Sequence, residues 1–205
     1  SCLQKHRNSL FQITAILLGQ SGLLTEGDNK HEDGLWEEYC FMQKKFSLKP
    51  IQGSLWKKAR MRPQSAPEVR IRQHAHLIYQ SEFLFSQLME AQTTEKMVEL
   101  LSIQYDDESA YSRVQRPLPI GKRSIDILLI NTVIPYRYAY AQSESIKDAI
   151  QWLNNIPKED NTIIRQWTML GQEIRSAADT QALIHLYQNY CQPHLCFNCH
   201  VGYQV

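Results

Sequence analysis

Apolar residues recur at helical spacing along most of the chain. Leu10, Ile13 and Leu17 stand three and four residues apart, and a similar series runs from Leu35 to Phe46. This spacing places apolar side chains on one face of an α-helix. Runs in which apolar and polar residues alternate, as in a half-buried β-strand, are nearly absent. The pattern therefore predicts an all-α fold, an irregular helical bundle of roughly nine to ten helices.

The most apolar of these helices is predicted over residues 125–141, with Ser124 as its N-cap. Pro135 lies inside it, and a proline within a helix kinks or divides the helix because it has no amide hydrogen to donate. We expect the side chain of Asn131 to satisfy backbone groups that Pro135 leaves free, since buried amides must find hydrogen bonds.

Two polar residues predict helix starts in the last third of the chain. Asn161 is placed to cap a helix over residues 162–174, and Ser176 is placed to begin the last long helix. The side chain of such a residue accepts a hydrogen bond from an amide of the first helical turn.

Composition is that of an ordinary globular protein. The chain has 205 residues, of which 43% are hydrophobic and 21% are charged, and no apolar run approaches the length of a membrane span. We expect one helical domain over residues 1–205, with a lobe boundary near 105–120 as the alternative. Because the chain does not begin with Met and shows no signal peptide, we expect a fragment of a longer cytoplasmic protein.

Charge is segregated along the chain although its total is only +1. Nine basic residues and one acidic residue lie between positions 44 and 72, whereas residues 26–38 carry six acidic residues and one basic. Basic side chains bind nucleic acid by displacing the counterions of its phosphates. The contacts predicted on this basis are Lys57, Lys58, Arg60, Arg62, Arg70 and Arg72. The alternative is that the two stretches pair with one another or simply face solvent.

Three of the five cysteines crowd into nine residues with the spacing C-x4-C-x2-C: Cys191, Cys196 and Cys199. Two cysteines separated by two residues are typical of a zinc knuckle, and zinc prefers four ligands. The cluster therefore predicts a zinc site, with a fourth ligand from His200, His194, Cys2 or Cys40. The alternative is a set of reduced structural thiols. His74 and His76, two residues apart, are expected to be ordinary histidines at the surface or the edge of the core.

Several motifs, taken in order, resemble one bacterial family. They are LGQSGLL at 18–24, RMRP at 60–63 with RIRQ at 70–73, the segment 121–135 with its INTV, the segment 161–171, ADTQAL at 178–183, and the cysteine-bearing segment 190–199. In this order they resemble the C-terminal half of the family called domain of unknown function 2851. The resemblance implies that an N-terminal half, reminiscent of PD-(D/E)xK nucleases, is missing here and that no catalytic residue carries over.

Two functions remain in competition. The first is a helical accessory domain that binds nucleic acid within a nuclease-like protein, with nucleic acid and its own missing N-terminal half as partners. The second is a protein-interaction or scaffold domain without chemistry of its own. The chain has no phosphate-binding glycine loop, nucleophile elbow or HExxH motif, so enzymatic activity is left open. No cofactor besides zinc and no membrane partner is expected.

Overall fold

The structure, a computed structural model, describes residues 2–24, 30–57, 59–105, 108–140 and 146–202, without the side chains of residues 2, 4 and 30–33. Its α-helices are α1 Cys2–His6, α2 Leu10–Gln20, α3 Lys30–Phe46, α4 Pro67–Gln80, α5 Leu84–Glu90, α6 Thr94–Leu101, α7 Lys122–Leu128, α8 Ile134–Tyr140, α9 Ile146–Asn154, α10 Thr162–Met169 and α11 Ala177–Leu186. No strand occurs in these residues, only an isolated bridge between Pro157 and Ser176. The all-α prediction is confirmed. Because α7 and α8 are joined without a break, the described residues form ten helical rods.

The chain forms two compact units. The first comprises residues 1–88 and 99–121, and the second comprises residues 89–98 and 122–205. The expectation of a single domain over residues 1–205, like the lobe boundary near 105–120, stays a prediction.

Helix α2 is at the centre of the first unit, where it packs against α3 and α4. Ser9 caps its N-terminus by accepting a hydrogen bond from the Gln12 amide. Apolar residues surround the helix on almost all sides, which is the pattern of a fully buried helix. The core of this unit consists of Leu10, Phe11, Ile13, Ala15, Leu18, Leu24, Leu35, Tyr39, Ala75 and Val114.

In the second unit, α7 and α8 form one rod, interrupted by a π turn at Leu129–Val133. The rod begins at Lys122, so Ser124 lies within its first turn and the N-cap prediction is wrong. The π turn ends at Val133, two residues before Pro135. Because proline has no amide hydrogen, the regular series of helical hydrogen bonds is interrupted there. Asn131 is exposed and donates to the Ile127 carbonyl at 3.1 Å, so it does not act as the buried amide that was predicted. Residue 141, the predicted end, lies outside the described residues.

The two predicted helix starts in the last third are confirmed. Asn161 Oδ1 accepts from the Ile164 amide at 3.0 Å, and Ser176 forms a reciprocal capping box with Asp179. Helix α10 nevertheless ends at Met169, not at residue 174. The reason is Gly171, which has a φ of +86° and forms a Schellman turn through the bond from the Gln172 amide to the Trp167 carbonyl at 3.1 Å.

Candidate functional sites

The C-terminal turn of α2 is shaped by a glycine beneath an aromatic ring. A Cβ atom on Gly19 would lie 2.1 Å from ring carbons of Tyr39, so only glycine fits there. The Gln20 side chain then donates to Tyr39 Oη at 2.9 Å. This contact joins α2 to α3, whose last turn carries Lys44 and Lys45.

The same turn holds the segment that precedes the basic residues. Gly22 has a φ of +67°, and a Cβ on it would lie 2.3 Å from the Ile51 carbonyl oxygen. A Cβ on Gly53 would lie 2.2 Å from the Gly22 carbonyl oxygen. The Ile51 amide donates to the Gln20 carbonyl at 2.9 Å, and Trp56 Nε1 donates to the Ser21 carbonyl at 2.8 Å. We call this contact between residues 20–22 and 51–56 the glycine clasp.

The structure divides the six predicted nucleic-acid contacts into two groups. Lys57, Arg60 and Arg62 follow the glycine clasp and are exposed, and Arg60 has a positive φ of 61°. Arg70 and Arg72 lie on α4 and are half-buried, and Arg70 donates to Gln73 Oε1 at 3.0 Å. The remaining residue, Lys58, lies outside the described residues.

Further basic and apolar side chains are exposed on the same segment of chain. Lys44, Lys45 and Lys49 are exposed, as are Phe41, Ile51, Leu55 and Met61. The ammonium group of Lys45 lies 5.5 Å from the ring centroid of Phe41 and 5.4 Å from that of Phe46. We call residues 41–62, in their described part, the basic segment.

The alternative was that the acidic stretch 26–38 neutralises these charges. Of its acidic residues, the structure describes only the side chains of Glu37 and Glu38. Glu38 accepts a hydrogen bond from Gln12 at 2.8 Å, and Glu37 is exposed. Within the described residues neither pairs with Lys57, Arg60 or Arg62, and the recorded ion pairs lie elsewhere, as in Arg7–Glu82.

The three clustered cysteines lie where the chain reverses after α11. Cys191 ends a π turn, and the Leu195 amide donates back to the Tyr190 carbonyl at 2.8 Å. Cys196 and Cys199 bracket a short 3-10 turn closed by the Cys199 amide on the Cys196 carbonyl at 3.1 Å. All three are free thiols, of which Cys199 is buried and Cys196 exposed.

The three thiols are near enough to interact electrostatically. Burial raises the pKa of Cys191 most, and the neighbouring Cys199 and Cys196 raise it further. However, no group of three or more His, Cys, Asp or Glu side chains in the described residues is arranged to hold a metal ion. His194 and His200 are exposed, Cys40 is half-buried on α3, and the Cys2 side chain is not described.

Zinc binding at this cluster stays a prediction. If Cys191, Cys196 and Cys199 hold zinc, the purified chain should carry about one metal equivalent, and Cys196→Ser should lower that content because a ligand is lost. Elemental analysis after gel filtration under reducing conditions measures it. Protein that contains no zinc, or an unchanged content in the Cys196→Ser variant, would contradict the prediction.

A polar stripe on α4 resembles a catalytic constellation but has structural partners. Gln73 donates to the carbonyl groups of Leu118 and Pro119 at 2.9 and 3.2 Å. One helical turn further on, His76 Nε2 bonds the Gln104 carbonyl at 2.7 Å, and Gln80 donates to the Ser102 carbonyl at 2.8 Å. Because these side chains satisfy backbone groups, the stripe fastens residues 102–104 and 118–119 to α4.

Each histidine was expected at the surface or the edge of the core, which holds for the exposed His74 but is wrong for His76, which is buried. A carbonyl only accepts, so His76 Nε2 carries the proton, and Nδ1 accepts from Tyr111 Oη at 3.2 Å. The Tyr111 ring stacks on the imidazole with a centroid distance of 5.8 Å. Burial lowers the pKa of His76, and the Gln104 carbonyl only partly offsets this.

Acidification should destabilise the protein through His76. Because the pKa of His76 is lowered in the folded protein, its contribution to the free energy of unfolding is complete above the ordinary pKa of 6.5. That contribution is lost as the pH falls from 6.5 through the pKa of the folded state. We expect His76→Gln to reduce the fall in unfolding free energy between about pH 7 and 5, by up to about 1.4 kcal/mol per pH unit. Urea denaturation at several pH values measures this. As a control, His200→Gln at an exposed position should leave the pH dependence unchanged, and an equal effect of that substitution would contradict the assignment.

The described residues define an all-α protein of two compact units that carries an exposed basic segment. Its sequence matches the family model described as "Protein of unknown function (DUF2851)" over residues 1–162, and the chain belongs to that family. No curated protein and no solved structure matches the chain significantly. No helix in the described residues has both the length and the apolar character needed to cross a bilayer. The match ends at residue 162, so the resemblance of the segments at 161–171, 178–183 and 190–199 stays a prediction.

Proposed function

We propose that this chain is a helical accessory module that binds nucleic acid through the basic segment. The observation that carries the proposal is the exposure of Lys57, Arg60 and Arg62, without an ion pair in the described residues, directly after the glycine clasp. Cationic side chains at the surface bind phosphates by releasing condensed counterions. Because the clasp holds residues 51–56 through backbone contacts, it fixes the point from which these side chains project.

The exposed apolar side chains of the basic segment support the same function. Phe41, Leu55 and Met61 alternate along the chain with the basic residues. Unpaired bases stack on aromatic side chains such as that of Phe41 next to a positively charged groove, with little dependence on base sequence. We therefore expect single-stranded nucleic acid to bind at least as tightly as duplex. No reaction is proposed for this chain.

The second candidate, a protein-interaction domain, is favoured by exposed apolar residues in the second unit. Phe197 is 94% exposed, Met169 is 86% exposed and Leu170 is 79% exposed. Exposed apolar surface of this kind often marks an interaction site. The partner that we propose for these exposed residues is the N-terminal half that the family resemblance implies.

The basic segment can be tested by the salt dependence of nucleic-acid affinity. We expect labelled duplex DNA to bind at low salt and to be released as salt rises, since each phosphate contact contributes about 0.9 to the slope of log affinity against log salt. The combined variant Lys57→Ala, Arg60→Ala, Arg62→Ala should lower that slope by about 2 to 3. Fluorescence anisotropy between roughly 50 and 200 mM salt measures it.

The matched control removes three exposed basic residues from the second unit, Lys147→Ala, Arg165→Ala and Arg175→Ala. It changes the net charge equally but leaves the basic segment intact, so its slope should equal that of the unmodified protein. The absence of binding at low salt, or the same loss in both triple variants, would contradict the nucleic-acid proposal.

A further inference from the structure

The second unit contains a cavity of about 420 Å³ between α7, with the π turn that follows it, and the loop that joins α9 to α10. Ile127, Ile130 and Pro157 supply its apolar wall, and the charged residues of its lining are Arg123, Asp126, Lys158, Glu159 and Asp160. Sites for small ligands have volumes of roughly 300–1,000 Å³ and combine an apolar wall with a few polar groups. The cavity therefore has the size and lining of a small-ligand site.

Two of its three carboxylates already have partners. Asp160 pairs with the guanidinium of Arg165 through two hydrogen bonds of 2.7 and 3.0 Å, and this pairing lowers its pKa. Glu159 Oε2 accepts hydrogen bonds from Thr180 Oγ1 and from Nε2 of the Gln181 side chain. These contacts direct both carboxylates to neighbouring helices.

The third carboxylate, Asp126, makes no hydrogen bond within the described residues although it is half-buried. Burial raises its pKa, and Lys122 offsets this in part. A carboxylate that loses water without gaining a donor is costly, so a ligand that donates hydrogen bonds to it would be stabilised. Asp126 is thus an acceptor that remains available at the cavity.

Two cations complete the lining. Arg123 Nη2 donates to the Asp160 backbone carbonyl at 3.0 Å, which leaves the other guanidinium donors available. Lys158 is exposed and has no ion pair in the described residues. A ligand of this cavity should therefore carry an anionic group for the two cations and a donor for Asp126. A simple anion does not meet this requirement, because Asp126 would repel it.

We propose that this cavity binds a nucleoside monophosphate whose base carries an exocyclic amino group. The phosphate lies against Arg123 and Lys158, the amino edge of the base donates to Asp126, and the base plane lies on the apolar wall. Carboxylates read the amino groups of bases in this way, as with the N4 amino group of cytosine. The inference concerns the second unit alone and does not depend on nucleic-acid binding by the basic segment.

The proposal can be tested by comparing nucleotides with and without an amino group on the base. Isothermal titration calorimetry should show GMP binding at least about tenfold more tightly than inosine monophosphate, and CMP more tightly than UMP, since a good base contact contributes on this scale. Asp126→Asn should reduce the preference for GMP over inosine monophosphate, because its single neutral carbonyl oxygen accepts hydrogen bonds less strongly than a carboxylate does. Glu173→Gln, at an exposed position of the same unit, should leave both affinities unchanged.

Arg123→Gln provides an independent variant in case Asp126→Asn does not fold, as judged by its thermal denaturation. It should weaken GMP and inosine monophosphate equally, since it removes a phosphate contact and no base contact. Equal affinities for GMP and inosine monophosphate in the unmodified protein would overturn the proposal. So would tighter binding of inorganic phosphate or a free amino acid than of GMP, or no binding of GMP at all.

Discussion

Substitution of Gly22 by alanine is expected to lower the free energy of unfolding by about 3 kcal/mol or more. Alanine at a φ of +67° costs about 1–2 kcal/mol, because its Cβ is too close to the following carbonyl. The new Cβ would also lie 2.3 Å from the Ile51 carbonyl oxygen and 2.8 Å from the Gly53 nitrogen. Both are rigid backbone atoms, so the glycine clasp must open, and such overpacking costs a further 1–3 kcal/mol or so.

Alanine substitutions at two other glycines distinguish the cost of the positive φ from the cost of the steric clash. Gly171→Ala should cost only the backbone strain, because its φ is +86° but nothing lies within 4 Å of its Cβ position. Gly121→Ala should have little effect, since that position has open space and no positive φ. Urea denaturation measures all three variants. If Gly22→Ala is no more destabilising than Gly171→Ala, the claim that Gly22 is in close contact with the backbone of the glycine clasp is wrong.

Replacement of Arg137 by methionine is expected to destabilise the second unit by about 3 kcal/mol, since hydrogen bonds to charged groups and cation–π contacts are each strong when buried. Arg137 is only 1% exposed, and its guanidinium lies 4.1 Å from the Trp152 ring centroid. It also donates to the Ala91 carbonyl, just beyond the end of α5. Trp152 Nε1 donates to the adjacent Gln92 carbonyl at 3.4 Å, so the two side chains fasten this segment together.

The loss of stability in Arg137→Met should arise from the shape of the guanidinium group as well as from its charge. Arg137→Lys keeps the charge but not the planar donor group, so its stability should lie between those of the unmodified protein and Arg137→Met. Arg175→Met, at an exposed position, should leave the denaturation midpoint unchanged. Thermal denaturation compares the three variants. Equal midpoints for Arg137→Met and Arg175→Met would show that the buried contacts contribute nothing.

Features of the fold that depend on local chemistry could be predicted from the sequence. The caps at Asn161 and Ser176 are examples, because a capping side chain bonds an amide only two or three residues away. Helix α10 ends before the predicted residue 174 because Gly171, with its positive φ, terminates it, which the apolar spacing does not reveal. The π turn before Pro135 depends on how the backbone adjusts to the missing amide, which apolar spacing does not reveal.

In the candidate sites, too, the features that depend on contacts between distant parts of the chain could not be predicted from the sequence. The basic residues were visible as a cluster, but their division into exposed Arg60 and Arg62 and half-buried Arg70 and Arg72 depends on the fold. In the motif at 18–24, Gly19 and Gly22 are recognisable only as suitable C-caps of the first long helix, since the partners of Gly22 are about thirty residues away along the chain. Asp126 was missed altogether, because its availability depends on which neighbouring carboxylates are already paired.

The most direct test of the proposed function is to map which peptides nucleic acid protects from hydrogen–deuterium exchange. With a single-stranded oligonucleotide at low salt, we expect slower exchange in peptides that cover residues 44–62. Peptides from α10 and α11 should exchange at the same rate with and without the oligonucleotide. The triple variant Lys57→Ala, Arg60→Ala, Arg62→Ala should lose this protection. Protection confined to other parts of the chain, or unchanged protection in the triple variant, would contradict the claim that the basic segment is the nucleic-acid interface.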